Sequence, residues 1–505
     1  MSSSIDNKRI LKNSLFLYLR MLIILLIGLF TVRMILSILG VTDYGIYNVV
    51  GGVVSMFSFL SGSLATSSQR YFSMEIARKD YKALNKIFSL NLTVFIIISG
   101  VLVLIAETVG LWFVNNKMTI PHDRLFAANV VYQLSIFSFL LSLCSVPYNA
   151  LVVAYEKMSA FAWIGIVEAV LKLIIVALLF LMPFDKLIVY GVLMLMVSAI
   201  IAASYYLYCV KKLQGSRYKW YWNKGEAKQL MAFSGWHFLG TTSVVVRSTG
   251  INLLINMFFS PAINGARAIA YQVDSIVCQF ANNYFTAVKP QMYKAYSNGE
   301  MEGLFRLIMR TTIMNVGLIM FFAFPILCNA DFLLSLWLKE VPPHTVLFVE
   351  LALINSIIDL TSNPMIAPAL ATGRIKKYQI ITSTFYYLNL PLSYIALRLG
   401  TEPEITVVIS ILLSFVCVFV RAVLLKQMMN FPLKPYFLLI FKLVMVSLLE
   451  GSILFIMCML LPSGWGRFLI TGFLSVILLG TCYLSFVLSK HDKTKAIEFI
   501  KAKIH

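Results

Sequence analysis

The feature that most constrains this chain is its series of long apolar runs. Segments of about 20 residues, the length needed to span a bilayer as a helix, recur from one end of the chain to the other. The sequence is 60% hydrophobic and 13% charged, whereas soluble proteins carry about 25% charged residues. The runs do not alternate in hydrophobicity as the strands of a transmembrane barrel do. The sequence therefore predicts an all-α polytopic membrane protein.

Fourteen apolar runs are long enough to be transmembrane helices. The first follows a polar start at residues 1–13 and has no small-residue cleavage site after it, so we expect it to remain as a helix. The predicted spans cover 14–38, 44–67, 87–112, 125–148, 158–181, 187–210, 230–258, 265–288, 307–328, 346–369, 378–398, 404–426, 436–461 and 466–489.

The basic residues predict the orientation of these helices. Of the 42 lysines and arginines, 30 flank spans on the side of the N-terminus, 7 lie on the opposite side and 5 lie within spans. Since cytoplasmic loops of membrane proteins are enriched in Lys and Arg, both termini are predicted to be cytoplasmic. This bias also accounts for the net charge of +20 without a nucleic-acid partner.

A weak internal repeat divides the chain into similar halves. An offset of 220 aligns 34–87 with 254–307, and an offset of 217 aligns Pro147 with Pro364. Six helices per unit is an even number, so the two units insert the same way up, as in transporters that rock two bundles around a central site. The sequence therefore predicts two pseudo-symmetric six-helix bundles around a central cleft, with two C-terminal helices. The predicted regions are 1–228, 229–430 and 431–505.

The stretch from Asn13 to Arg70 predicts the wall of a polar cavity. Its first helix carries Arg20 and Arg33, a turn follows at residues 40–45, and the returning helix is rich in small polar residues. Cations in hydrocarbon are costly and are expected to point into protein or a wet cavity. Small residues let neighbouring helices approach closely.

Arginines within or beside the predicted spans are the main candidates for substrate contact. Arg33, Arg247 and Arg267 lie on helices that would flank the predicted cleft. A guanidinium offers a planar fork of donors that suits phosphate oxygens. The alternative is that these arginines pair with Asp274 or Asp359 and fix helix packing. The two interpretations are equally compatible with the sequence for any single arginine.

The carboxylates within spans allow two roles. A buried carboxylate can take up and release a coupling proton or bind sodium, or it can simply pair with a cation. Glu168 and Lys172 are four residues apart on one helix and can pair with each other. The predicted substrate-binding residues are Arg33, Arg247, Arg267, Lys172 and Arg20, and those for ion coupling or pairing are Glu168, Asp274 and Asp359.

The sequence carries no signature of catalysis, metal binding or a resident cofactor. The seven cysteines lie in or beside apolar runs without metal-like spacing, and the five histidines are scattered. Nucleophile, phosphate-loop and zinc motifs are missing from the sequence. We therefore expect a protein that is not an enzyme and has no metal site.

Short motifs in the first half resemble a known family. They are the turn Leu39-Gly40-Val41-Thr42-Asp43-Tyr44-Gly45-Ile46-Tyr47, the helix exit Ser68-Gln69-Arg70-Tyr71, and Pro147-x-x-Ala150 leading into Glu156-Lys157. With the repeat and fourteen helices, the chain resembles the polysaccharide branch of the multidrug/oligosaccharidyl-lipid/polysaccharide exporter superfamily. This branch comprises flippases for lipid-linked O-antigen, capsule or exopolysaccharide repeat units.

The resemblance implies a function and a location. It implies translocation of an undecaprenyl-diphosphate-linked oligosaccharide across the cytoplasmic (inner) membrane of a bacterium, for O-antigen, capsule or lipopolysaccharide synthesis. The two bundles would alternate in access around a basic cleft, with coupling to a proton or sodium gradient. Partners would be the lipid-linked oligosaccharide, membrane lipids, and the polymerase and glycosyltransferases of the same pathway.

Related families remain as alternatives. Lipid II flippases place an arginine two to three residues after a tyrosine in helix 8, but here Tyr271 is followed by Gln272, Val273 and Asp274. That residue is therefore not carried over, and Arg267 is the nearest cation. A multidrug exporter of the same fold would favour an acidic or aromatic cavity over three arginines. A polysaccharide polymerase or ligase would need a large outer loop, which the sequence does not contain.

Overall fold

Helices make up all regular secondary structure in the described part of the chain. The computed structural model describes residues 7–55, 58–118, 120–259, 261–338 and 340–487. The helices are α1 (Asn7–Ser55), α2 (Ser58–Arg78), α3 (Tyr81–Ile105), α4 (Leu111–Lys117), α5 (Leu125–Ala154), α6 (Met158–Leu181), α7 (Lys186–Lys212), α8 (Lys224–Phe258), α9 (Pro261–Ser297), α10 (Met301–Cys328), α11 (Ala330–Trp337), α12 (Thr345–Ser362), α13 (Ile366–Ala371), α14 (Lys376–Arg398), α15 (Ile405–Met429), α16 (Leu433–Leu460) and α17 (Trp465–Cys482).

Eleven helical stretches among the described residues are long and apolar enough to cross a membrane. Three further predicted spans are helical but more polar: the second part of α1 with α2, then α9, and α14. Large apolar side chains such as Phe180, Met459 and Phe473 are more than 70% exposed. Exposed apolar surface of this kind is suited to lipid. The predicted all-α polytopic fold is confirmed.

The turn predicted at residues 40–45 is reduced to one residue. Gly40 has φ 76° and ψ 170°, while the residues on either side are helical. This combination of dihedrals is essentially restricted to glycine because it has no Cβ. Gly40 therefore separates two helices within α1, and the chain needs no longer connection there.

Two of the long loops predicted on the basic side are wrong, because the helices extend well beyond the apolar runs. Residues 68–86 were expected to be a loop, but α2 continues to Arg78 and α3 begins at Tyr81. Asp80 caps α3 by accepting hydrogen bonds from the amides of Lys82 and Ala83. The expected loop at 289–306 likewise shrinks to the residues between α9 and α10. Hydropathy marks only the part of a helix that lies in hydrocarbon.

Backbone dihedral angles support the internal repeat at two pairs of positions whose residue types differ. Lys79 and Gly299, which are 220 residues apart, are both left-handed, with φ 58° and 73°. Glu156 and Gly373, which are 217 residues apart, have φ 58° and 74°. Lys79 directly follows the end of a helix, and the other three residues lie two positions after a helix ends. The two sequence offsets therefore relate helix ends of equal geometry.

The two halves differ at their matching prolines. Pro147 lies inside α5, which continues as an α-helix to Ala154. At the equivalent place Asn363 and Pro364 form a 3₁₀ turn that separates α12 from α13. The helix type thus changes at Pro364, whereas Pro147 leaves α5 unbroken.

The chain forms two compact units. Residues 1–241 and 287–299 belong to unit 1, and residues 242–286 and 300–505 belong to unit 2. Helices α8 and α9 therefore each contribute to both units. The core of unit 1 includes Phe72, Phe88 and Leu151, and that of unit 2 includes Phe348 and Leu353. The division predicted at residues 228 and 430 remains a prediction.

Candidate functional site

A cluster of charged and aromatic side chains lies inside the membrane helices of unit 2. Tyr386 of α14 lies between two arginines that come from different helices. The guanidinium carbon of Arg247 in α8 is 4.7 Å from the centre of its ring, and Arg421 Nη2 in α15 donates to its hydroxyl at 2.7 Å. Three helices are therefore joined through one tyrosine. We call Arg247, Asp274, Asp359, Tyr386 and Arg421 the unit 2 polar cluster.

Arg421 was missed by the sequence analysis. It was counted among the basic residues that flank spans, but its side chain is 4% exposed within α15. Arg421 Nη1 also donates to the hydroxyl of Ser362 at 2.7 Å, while its Nε has no hydrogen-bond partner among the described residues. The signal was present, since Arg421 lies five residues inside the predicted span 404–426.

The two acids of the cluster are close to the arginines but are not paired with them. Asp274 in α9 accepts hydrogen bonds from Ser356 and from Cys278 Sγ, the latter at 3.6 Å. Asp359 Oδ1 in α12 is buried and lacks a hydrogen-bond partner within the described residues. Asp274 interacts electrostatically with Asp359 and with Arg247, and Asp359 interacts with Arg421.

The arginines of this region therefore carry positive charge that no described carboxylate neutralises. Within the described residues, no ion pair joins Arg247, Arg267 or Arg421 to a carboxylate. For Arg247 and Arg267, whose side chains are described, the arginine–aspartate pairs considered as the structural alternative are not formed. A guanidinium without a carboxylate partner is able to bind an anionic oxygen through its fork of donors.

Arg267 lies in α9 beside this cluster and is buried, with 5% of its surface exposed. Its guanidinium carbon is 4.3 Å from the ring centre of Tyr271, and Nη1 donates to Asn252 Oδ1. Its Nε has no hydrogen-bond partner in the described part of the chain. The structure thus shows Arg267 enclosed between an aromatic ring and an amide.

Unit 1 contains a smaller polar group around α1 and α6. Arg20 stacks over the ring of Phe161, with 4.3 Å from the guanidinium carbon to the ring centre, and interacts electrostatically with Glu168. Lys172 Nζ lies 2.6 Å from Glu168 Oε1, the pairing that their four-residue spacing predicts. The side chain of Arg33 is outside the described part of the structure, so its role stays a prediction.

A second charged group in unit 1 holds the residues that follow α5. The buried carboxylate of Glu156 lies 3.1 Å from Arg9 Nε and 2.5 Å from Lys294 Nζ, and accepts from Gln291 Nε2 at 3.1 Å. Arg9 Nη2 also donates to the carbonyl of Tyr155 at 2.8 Å. Glu156 thus ties the start of α1 and the end of α9 to one turn.

One group of side chains could hold a metal ion. His344, Glu402 and Glu404 in unit 2 bring their ligand atoms within 4.8 Å of one another. His344 Nδ1 lies 2.5 Å from Glu404 Oε1, a contact that also stands by itself as a hydrogen bond or ion pair. Sequence spacing did not reveal this group, because 58 residues separate the histidine from the first glutamate.

Comparison with known proteins places the chain in a family. A family model described as "Polysaccharide biosynthesis protein" matches residues 10–296. The chain is 22% identical over 277 residues to the uncharacterized membrane protein EpsK of Bacillus subtilis (strain 168). That match covers 54% of this chain and 54% of EpsK, so the chain spans about half the length of this relative.

Solved structures show the same fold. A MOP superfamily transporter from Pyrococcus furiosus Vc1 superposes with a TM-score of 0.69 at 12% identity, covering 83% of this chain and 95% of the transporter. A crystal structure of MATE in the bent conformation gives a TM-score of 0.70 at 12% identity, covering 83% and 94%. The fold is therefore that of a multi-pass membrane transporter. By the family model over residues 10–296, the chain belongs to the polysaccharide biosynthesis protein family, and its fold is the one seen in MOP superfamily transporters.

Proposed function

We propose that this transporter moves a lipid-linked oligosaccharide repeat unit across the bacterial cytoplasmic membrane for the synthesis of a surface polysaccharide. The observation that carries the proposal is the unit 2 polar cluster, in which Arg247 and Arg421 form no ion pair with any carboxylate that the structure describes. A buried cation without a counter-ion is costly. An anionic substrate that entered the membrane helices would supply the missing charge.

The chemistry of the cluster suits an undecaprenyl diphosphate-linked sugar. The diphosphate would bind to the guanidinium forks of Arg247 and Arg267, which match phosphate geometry better than the point charge of lysine does. Tyr271 and Tyr386 would offer aromatic faces to sugar rings. The lipid tail would stay in the bilayer while the polar headgroup crosses by alternating access. The glycosyltransferases of the pathway would act before this step, and the polymerase would act after it.

The carboxylates of the cluster provide a means of coupling. Asp274 and Asp359 come from different helices, and one buried oxygen of Asp359 has no hydrogen-bond partner among the described residues. A proton or sodium ion at these carboxylates would change the net charge that the substrate meets. We propose that a cation bound at Asp274 and Asp359 favours binding of the anionic substrate. Release of this cation would weaken substrate binding.

Deletion of the gene tests the proposed function. Surface polysaccharide and lipid-linked intermediates would be measured together in the deletion strain, with the wild-type gene returned as a control. Loss of surface glycan with accumulation of complete repeat units on the cytoplasmic leaflet is the expected result. Unchanged surface glycan, in a strain with no second flippase, would contradict the proposal. Drug efflux would then be the next measurement, since the fold is shared with MATE transporters.

A further inference from the structure

A strongly basic pocket in unit 1 is separate from the polar groups described above. It has a volume of about 880 Å³ and lies between the first turns of α3 and the segment that follows α7. All charged side chains that line it are positive. Elsewhere, the basic residues that flank spans on the side of the N-terminus are spread along the chain. The basic residues that line it are Lys82, Lys86, Lys211, Lys212, Arg217 and Lys219.

The floor of the pocket is built by hydrogen bonds from α3 to the chain after α7. Asn85 Nδ2 donates to the carbonyl oxygens of Gly215 and Arg217, at 3.2 and 2.6 Å. The amide of Lys219 donates to Ser89 Oγ at 3.1 Å. Gly215 has φ 77°, and a Cβ there would lie 2.8 Å from Leu84, so only glycine fits this close approach. The pocket therefore has a fixed shape.

The cations in this pocket lack anionic partners. None of its lining residues is an aspartate or glutamate. Within the described residues, none of the six cations forms an ion pair. Asp80 caps the start of α3, and Glu226 accepts a hydrogen bond from the Tyr221 hydroxyl at 3.0 Å. Six like charges around one concavity favour binding of a polyvalent anion.

Aromatic residues at the rim indicate that this anion is carried by a lipid. Tyr81 and Trp220 line the pocket and are 41% and 75% exposed. Trp and Tyr favour the headgroup level of a membrane, where their rings meet both apolar and polar surroundings. The pocket also lies where α3 and α7 leave their apolar runs, the level at which basic residues attract anionic lipids.

We propose that this pocket binds the phosphate headgroup of an anionic membrane lipid. The lysines and Arg217 contact the phosphate oxygens, and Trp220 packs against the glycerol and the upper acyl chains. This site does not depend on the transported substrate. Soluble phosphate compounds share the same oxygens, so the test must separate a lipid from a free phosphate.

Binding of dihexanoyl phosphatidic acid to the purified full-length protein in an uncharged detergent tests the proposal. The pocket variant is Lys86→Gln/Lys212→Gln/Arg217→Gln, and the matched control is Arg306→Gln/Lys426→Gln/Lys434→Gln, three exposed cations of unit 2. Each basic residue near an anionic surface contributes roughly fivefold in affinity. The pocket variant should therefore lose at least about tenfold, whereas the control should stay within about twofold of wild type.

Competitors identify the source of the phosphate. Dihexanoyl phosphatidylcholine, which has the same tails but no net charge, should compete poorly. Inorganic diphosphate should compete at least about tenfold more weakly than phosphatidic acid, and Trp220→Ala should weaken only the lipid. Equal affinity of wild type and pocket variant would overturn the site. Diphosphate that competes as well as the lipid would overturn the lipid assignment. Equal thermal unfolding midpoints establish that the variants are folded.

Discussion

Arg247 is the residue at which the proposed function is most directly tested. Its guanidinium rests on Tyr386 without a carboxylate partner in the described structure. We predict that Arg247→Ala reduces export at least about tenfold, since a hydrogen bond to a charged group contributes about 1.5–3 kcal/mol. Arg247→Lys should recover part of the activity because it keeps the charge but not the fork. Export would be measured as surface polysaccharide per transporter in the membrane.

The control for this prediction is Arg306→Ala, which removes an exposed cation of α10. It should leave export unchanged. Arg33→Ala is expected to behave like Arg247→Ala if its side chain also contacts substrate. Normal export in both Arg33→Ala and Arg33→Lys would show that Arg33 has no part in binding.

Glu156 presents the opposite case, a buried charge with partners on three sides. Removing one partner of a buried pair typically costs about 3–5 kcal/mol. Glu156→Ala should therefore lower the free energy of unfolding by about 3 kcal/mol in detergent. Glu156→Gly should lose about 1 kcal/mol less, because φ is 58° and glycine relieves the left-handed strain. Equal losses in the two variants would show that the backbone is not strained.

At the scale of elements, the break within α1 rests on one glycine. We predict that Gly40→Ala destabilises the protein by about 1–3 kcal/mol through backbone strain. Steric contact is not the cause, since a Cβ at Gly40 would have nothing within 4 Å. Gly45→Ala is the matched control, because it is helical and equally open. It should be neutral or stabilising. Thermal unfolding of both variants would show whether the strain exists.

An acid-sensitive contact around Arg124 joins separate segments of unit 1. Arg124 Nη1 donates to Asp185 Oδ2 at 2.6 Å, and Arg124 Nε donates to Asp43 Oδ1 at 2.8 Å. Burial alone would raise the pKa of Asp185, but the amides of Ile188 and Leu187 and the Arg124 guanidinium together hold it below its ordinary value. The contact joins the residues after Gly40 to the start of α7.

This pKa shift predicts a pH dependence. A carboxyl with a lowered folded-state pKa stabilises the fold above its unfolded pKa, near 3.8, and the gain is lost as pH falls through the lower folded value. The difference in unfolding midpoint between wild type and Asp185→Asn should therefore shrink as pH falls from 6 towards 3. A difference that stays constant over this range would contradict the prediction.

The helices whose bounds the sequence predicts best are the most apolar ones. Runs such as 158–181 match α6 almost to the residue, because nearly every side chain meets lipid or core. The C-terminal ends of α2 and α9 were missed because polar residues continue a helix beyond the membrane without leaving a hydropathy signal. Arg247 and Arg267 were identified as intramembrane cations. Their contacts with Tyr386 and Tyr271 were not, since they depend on helix rotation.

At the scale of the whole molecule, the basic residues make a prediction about orientation. A cysteine at Gln214 should lie on the cytoplasmic side, and one at Asp123 should lie outside. In a variant without the seven native cysteines, an impermeant maleimide should label Asp123→Cys in intact cells. It should label Gln214→Cys only after permeabilisation. The reverse pattern would contradict the positive-inside assignment.

The paired left-handed residues have a mechanical consequence. Gly373, at the joint between α13 and α14, has no side chain to hold that turn, and the Thr372 hydroxyl instead bridges the Ala369 carbonyl and the Arg374 amide. Its counterpart Glu156 is clasped by Arg9 and Lys294. The two turns therefore share a backbone conformation but differ in the charges that hold them. Bending at residue 156 must first separate buried charges, whereas residue 373 carries no charge to separate.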